Sequence, residues 1–201
     1  MKKDEKKEDK QEKKEQLLTA SYDLFMNKGV EETSISDIVN EAHTGKGTFY
    51  YYFKDKQDIK RTLINAVAQK LINSSIANVK KQNFEFLADQ IIFISNDIIN
   101  IIKKDKKLIK FIAMELSYEI YKNAVNDLYL RNESSLLRIF SEGKKQNGEK
   151  LENPKIMMST IIELITSTSY NSILFSEPVP IEEYKPFLFS YIRVLIEDEN
   201  S

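Results

Sequence analysis

At 201 residues the chain has room for one large domain, or for a small one joined to a larger one. A net charge of −1 excludes a protein that is basic throughout, so any attraction to nucleic acid has to be local. Cysteine is absent and histidine occurs once, which excludes a disulfide framework and thiol catalysis and removes most metal and acid–base schemes.

The N-terminus is charged rather than apolar, unlike a secretory signal. The most apolar run, Ile91 to Ile102, is interrupted by Ser95, Asn96, Asp97 and Asn100. It is too short and too polar to span a bilayer. A cytoplasmic protein without membrane association is expected.

Residues 1–15 alternate lysine with acids and hold no hydrophobic anchor after Met1. They read as a disordered charged arm. An arm touching DNA is the sharper alternative, weakened by the interleaved acids. From about Lys13 the pattern turns helical, with Leu17, Ser21, Leu24 and Phe25 on one face and Ala20 beside them. Gly29 suits the left-handed residue that ends a helix.

Ser34 then reads as an N-cap, with Asp37 as its reciprocal partner. Ile35, Ile38, Val39 and Ala42 form the buried stripe of the second helix. His43, Thr44 and Gly45 form a turn, and a third helix runs to about Phe53, offering Phe49, Tyr52 and Phe53 to the core. Asp55 can cap a fourth helix and Asp58 adds favourable charge to its first turn. That helix continues through Ile59, Leu63, Val67 and Leu71 towards Lys80.

The rest is also helical. Leu87, Ile91, Ile94, Ile98 and Ile101 recur at helical steps, and Phe86, Ile92, Phe93 and Ile99 make this helix apolar on most sides, so it should be central. Leu108 to Tyr121 and Ala124 to Lys145 give one or two further helices, and Gly143 and Gly148 bracket a polar connection. Pro154 can start another helix, with Met158, Ile161, Ile162 and Ile165 on one face. A linker from Glu177 to Pro180 leads to a last helix with Tyr184, Leu188, Tyr191 and Leu195, whose start Pro186 obscures. No strand and no internal repeat is visible.

Two short helices joined by a tight turn outline a helix-turn-helix, which points to DNA. Small residues at Gly45 and Gly47 let backbone N–H groups approach phosphate. Lys46 is long enough to reach a guanine edge. The hydroxyls of Thr44 and Thr48 suit phosphate or a thymine edge. Tyr50, Tyr51 and Tyr52 step about 100° apart and cannot share an environment. Tyr52 lies one turn from Phe49 and belongs to the core, which leaves Tyr50 and Tyr51 nearer the DNA side. With Ser34 at the preceding cap and Lys54 and Lys56 beyond, these residues make a local basic face. Gly45-Lys46-Gly47-Thr48 is not a P-loop, because position 40 is Asn and no strand leads in.

On these residues the segment from about Leu17 to Leu63 resembles the DNA-binding domain of the tetracycline-repressor (TetR/AcrR) family. The resemblance rests on Leu17-Leu18-x-Ala20, Leu24-Phe25, Gly29, the Thr33-to-Ala42 helix and above all Lys46 through Phe53, then Lys54, Lys56 and Ile59. It implies a helical homodimer that represses transcription and is released by a small molecule. The family's backbone-contacting tyrosine maps to Tyr50, its lysine opening the recognition helix to Lys46, and a position often His or Tyr to Tyr51. Three residues depart from the pattern. His43 stands for the usual turn glycine, Thr44 for a small apolar residue, and Gly45 for a capping Ser or Thr.

The expectation is therefore an all-α chain with a charged arm at 1–15. A three-helix helix-turn-helix domain follows at 16–60, then a larger helical effector-binding and dimerisation domain at 61–201. Site residues on the DNA side are Ser34, Thr44, Gly45, Lys46, Gly47, Thr48, Tyr50, Tyr51, Lys54 and Lys56. Phe86, Phe93, Phe111, Glu115, Tyr118, Glu163, Ser167 and Tyr170 are candidates for the effector pocket. Asn96, Tyr121, Thr166 and Asn171 stand on weaker terms, and the two glutamates would face a cationic ligand. No cofactor, metal or catalytic role is expected. By family analogy the last two helices, each exposing an apolar stripe, pair with their copies, and a palindromic operator follows. The rival reading is a module of the same fold without ligand control.

Overall fold

A computed structural model describes residues 2–112, 116–129 and 136–198, with the side chains of 2–10, 117 and 124–129 outside the description. Ten helical segments and no strand occur among the described residues. They are α1 (Lys2–Lys28), α2 (Ile35–Glu41), α3 (Lys46–Tyr52), α4 (Lys56–Val79), α5 (Leu87–Ile102), α6 (Lys106–Ile112), α7 (Leu116–Tyr129), α8 (Leu136–Glu142), α9 (Pro154–Phe175) and α10 (Ile181–Glu197). The fold is all-α. It divides into two compact units, Met1–Ile64 and Asn65–Ser201.

In the first unit, α1 packs on α2 and α3. Its core is Leu17, Ala20 and Phe25 from α1, Ile38 and Val39 from α2, Phe49 and Phe53 around α3, and Ile59 and Ile64 from α4. Each large apolar side chain buried there contributes roughly 1.5–3 kcal/mol. The helix ends follow local chemistry. The Ser34 hydroxyl accepts from Asp37 N at 3.1 Å and the Asp37 carboxylate accepts from Ser34 N at 2.9 Å, closing a capping box. Asp55 and Asp58 repeat the device before α4, accepting from Asp58 N and Lys54 N. Gly29 takes φ +93°, the left-handed conformation that ends α1.

The charged stretch read as a disordered arm is helical from Lys2 onward. Its residues are good helix formers, and side chains four apart pair, as in Gln11 to Glu15 and Gln16 to Glu12.

In the second unit, α5 packs on α10 and α6, and α9 touches α6, α7, α8 and α10. The α5 helix buries Leu87, Ile91, Ile94, Ile98, Ile99 and Ile102, as its composition demands. Two ion pairs hold α10 on it. Arg193 donates to Asp89 at 2.6 Å. At the other end Lys185, itself buried, donates to Asn100 at 2.7 Å and to Glu182, which also pairs with Lys103 at 2.6 Å. Lys103 first, and then Lys185, hold the Glu182 carboxyl below the usual range. Gly143 follows α8 where a Cβ would meet Leu87 Cδ1 at 2.6 Å, so glycine is needed for the close approach.

The two last helices differ in their outward faces. Along α10, Ile181, Lys185, Leu188, Ile192 and Ile196 turn inward, while Phe187, Tyr191, Val194 and Leu195 are exposed. Along α9 the exposed positions are mostly polar, with Thr160, Glu163, Ser167 and Asn171 between Ile156 and Phe175. The apolar stripe expected on both helices is thus present on α10 and confined to the ends of α9. The Ile161, Ile162 and Ile165 face of α9 goes into its own bundle.

Candidate nucleic-acid interface and internal cavity

The turn that presents α3 is built from three small decisions. His43 takes φ +49°, so a non-glycine residue holds the left-handed conformation there. Thr44 N reaches Val39 O at 2.9 Å and ties the turn back to α2. Gly45, extended at φ −100°, caps α3 through its carbonyl, which accepts from Thr48 N and Phe49 N.

Phe49 is fully buried and Phe53 nearly so, and these two fix the roll of α3. The roll leaves Tyr50 58% and Tyr51 64% exposed. Tyr52 is half-buried and packs edge-on against Tyr51, ring centres 4.8 Å apart. Lys46, Gly45, Gly47 and Lys54 are exposed, as is Ser34, and Thr48 is half-buried. Lysine, glycine and phenol therefore share one solvent-facing surface of a short helix. That surface offers cationic and hydroxyl donors, the chemistry that phosphate and base edges accept.

Two residues expected on this face present no free donor to solvent, one because it is engaged elsewhere and one because it is buried. Lys56 donates its ammonium to Val30 O at 2.7 Å and to Glu31 O at 3.2 Å, and so ties the α1–α2 connection to the start of α4. The Thr44 hydroxyl is buried and has no hydrogen-bond partner among the described residues. Behind the face, Lys28 pairs with Asp37 at 2.7 Å. The Lys28 ammonium first, then the Ser34 amide and hydroxyl, lower the Asp37 carboxyl to about 2.

The second unit holds a small, partly open cavity of about 30 Å³, lined by residues of α4, α5, α7, α8 and α9. Ile72, Ile91, Ile94, Ile98, Ile120, Phe140, Ile161 and Ile165 supply most of the wall. The two hydroxyls in the lining are turned back on their own helices, Ser95 to Ile91 O at 2.7 Å and Thr166 to Ile162 O at 2.8 Å. The wall is therefore apolar.

Of the eight residues expected to line a pocket, the seven that are described do not line this cavity. Phe111 is buried elsewhere in the core. Tyr118 is 62% exposed, and Glu163 and Ser167 are exposed too. Tyr170 is half-buried and meets the Phe175 ring edge-on. Glu115 lies outside the described residues. Phe86 and Phe93 do come together, with Asn96, Phe84 and Phe189, but along a surface groove. Of the weaker candidates Thr166 lines the cavity. The expected lining was mostly aromatic, whereas this wall is mostly branched aliphatic, and those residues show in the sequence only as core periodicity. Glu119 is a buried carboxylate, 2% exposed, outside the expected set. Its spacing between Leu116, Ile120 and Asn123 on one helical face was the available clue.

Among the described residues no group of three or more metal-ligand side chains converges, and no helix is long and apolar enough to cross a membrane. The fold and the exposed α3 face define an all-helical protein with an N-terminal helix-turn-helix. The family model for bacterial regulatory proteins of the tetR family matches residues 17–62. The HTH-type transcriptional regulator YvdT of Bacillus subtilis (strain 168) is 27% identical over 191 residues, covering 90% of this chain and 93% of the relative. A solved TetR-family transcriptional regulator from Syntrophomonas wolfei superposes with a TM-score of 0.60 at 26% identity, over 92% of this chain and 95% of that one. The transcriptional regulator FadR of Bacillus subtilis, solved in complex with stearoyl-CoA, superposes with a TM-score of 0.62 at 19% identity, over 88% and 96%. Residues 17–62 thus carry a tetR-family DNA-binding domain, and over its whole length the chain is similar in sequence and fold to transcriptional regulators, TetR-family ones among them.

Proposed function

We propose that this protein is a ligand-responsive, sequence-specific repressor. It binds a palindromic operator as a homodimer and leaves it when a small molecule occupies the second unit. The observation that carries the DNA-binding part is the exposed α3 surface of Lys46, Tyr50 and Tyr51 over a buried Phe49. Tyr50 serves as a phosphate contact and Lys46 and Tyr51 as base-edge or phosphate contacts, with Lys54 and Ser34 at the margin.

The apolar stripe of Phe187, Tyr191, Val194 and Leu195 on α10 supports pairing with a second copy. A two-fold dimer sets its recognition helices about 34–36 Å apart, the spacing of successive major grooves. Helix α4 supplies residues to both units and is the route by which a ligand would alter that spacing. A ligand shifts the equilibrium only by binding the released state more tightly. The apolar wall of the cavity favours an effector with an apolar body, in keeping with the acyl-CoA bound to the FadR relative. The protein works in the cytoplasm and without catalysis.

The small size of the cavity favours a second reading, in which the chain binds DNA without ligand control. Selection of random duplex DNA by the purified protein, read by sequencing, tests the first. An enriched palindrome with half-sites one helical turn apart is the expected result. That DNA then serves to screen for release. Enrichment of a single unpaired half-site would sink the dimeric reading, and affinity indifferent to every compound tried would favour the second.

A further inference from the structure

Glu119 is the feature of the second unit that core packing does not explain. It lies on α7 with its side chain 2% exposed. A carboxylate so far from water needs positive charge or several donors around it. Among the described residues the one cation on it is Lys122, from the same helix, at a loose 3.4 Å. Lys122 is itself 44% exposed, and its ammonium also lies over the Tyr118 ring, 5.9 Å from the centre. This lysine is a substitutable partner at the edge of solvent, held on the carboxylate by one long contact.

The surroundings are polar on one side and apolar on the other. Asn123, one turn further along α7, is buried and donates to Asn65 of α4 at 3.0 Å. Ile120 of α7 and Ile72 of α4 line the apolar cavity. Asn65 and Ile72 stand seven residues apart on one face of α4, roughly 10 Å at 1.5 Å per residue. The α4–α7 contact thus runs from a buried carboxylate and two carboxamides at one end to an aliphatic wall at the other.

We propose that this contact is the effector site and that it takes an organic cation with an apolar tail. The ammonium replaces Lys122 on Glu119, the amides of Asn65 and Asn123 face the head group, and the tail enlarges the cavity at Ile72 and Ile120. This rests on the effector reading given above and adds to it the sign of the ligand's charge. It sets this chain apart from a relative whose ligand is anionic.

The test uses three probes of one chain length, n-octyltrimethylammonium, 1-octanol and octane-1-sulfonate. Each is titrated calorimetrically into the full-length protein and assayed for release of selected operator DNA. The cation should bind at least tenfold more tightly than the other two. Glu119→Gln should weaken the cation at least tenfold and leave octanol unchanged. Lys122→Met, which removes the internal competitor without touching the core, should tighten the cation several-fold. Octanol or sulfonate binding as well as the cation and releasing DNA, with Glu119→Gln indifferent, overturns the charge assignment and leaves the effector reading standing. No binding by any probe to protein that still holds its operator overturns both.

Discussion

Lys56 shows how a single side chain can be read two ways. Its position just beyond the recognition helix suits a phosphate contact, but its ammonium is given to the Val30 and Glu31 carbonyls. Hydrogen bonds to a charged donor contribute about 1.5–3 kcal/mol when part-buried. Lys56→Met should therefore lower the stability of the protein by about 1–2 kcal/mol in denaturant titration. The salt dependence of DNA binding should stay as it is. A flatter salt dependence with unchanged stability would return Lys56 to the DNA face. Asp37 gives a companion prediction in pH. Its carboxyl is held at about 2, below the ordinary aspartate value of 3.8, chiefly by Lys28 and then by the Ser34 donors. A depressed folded-state pKa stabilises above the unfolded value and the benefit fades as pH falls through the folded one. Acid titration should show wild type losing its advantage over Asp37→Asn between about pH 4 and pH 2. A constant gap across that window would mean the ion pair contributes nothing.

At the scale of elements, the caps were legible because they are local. Ser34 with Asp37, Asp55 with Asp58, and Pro154 each act within one helical turn, so their spacing carries the whole signal. Pro186 was not decisive. It removes only the N–H that would meet the Glu182 carbonyl in the first turns of α10, and the buried Ile181, Lys185 and Leu188 hold that end down. Which face of a helix points where was less legible, because that depends on neighbours distant in sequence. On α10 the inward and outward stripes are about equally apolar, and tertiary packing alone tells Leu188 from Tyr191. On α9 it sends the isoleucines inward and leaves a polar outer face. The same dependence on packing separates the aromatic effector candidates from the apolar cavity, whose wall is made of branched aliphatics. The outward α10 stripe makes its own prediction. Tyr191→Asp with Val194→Asp changes side chains that are 55% and 52% exposed and should leave the fold intact. In sedimentation the variant should run as a monomer, and with avidity lost its operator affinity should fall on the order of 100-fold. A dimer that survives both substitutions places the interface elsewhere.

At the scale of the whole molecule the charge ledger decides how this protein finds DNA. Lysine and arginine number 30 against 31 acids, so the long-range field of the chain is close to neutral. Steering by net charge is then weak, and affinity has to come from the few cations that face the duplex. Lys46 and Lys54 are exposed on that side, whereas Lys28 is paired with Asp37 and Lys56 is held by main-chain oxygens. A hollow of the same unit near His43 is lined by Glu12, Glu15, Asp23 and Glu41, which repel phosphate and bar an adjacent surface from DNA. The surface that can meet a duplex is therefore narrow. Each phosphate-facing cation should contribute about one unit to the slope of log affinity against log salt concentration. For a dimer Lys46→Ala removes two cations, so the slope should flatten by about two if both face phosphate. If Lys46 instead reads guanine, the slope changes less and the penalty falls on operators that keep that base, at about 1–3 kcal/mol per contact. Measuring affinity across a salt series for the selected operator and for one with the half-site guanine replaced separates the two. Unchanged slope and unchanged base preference would remove Lys46 from the interface and, with it, the proposed docking of α3.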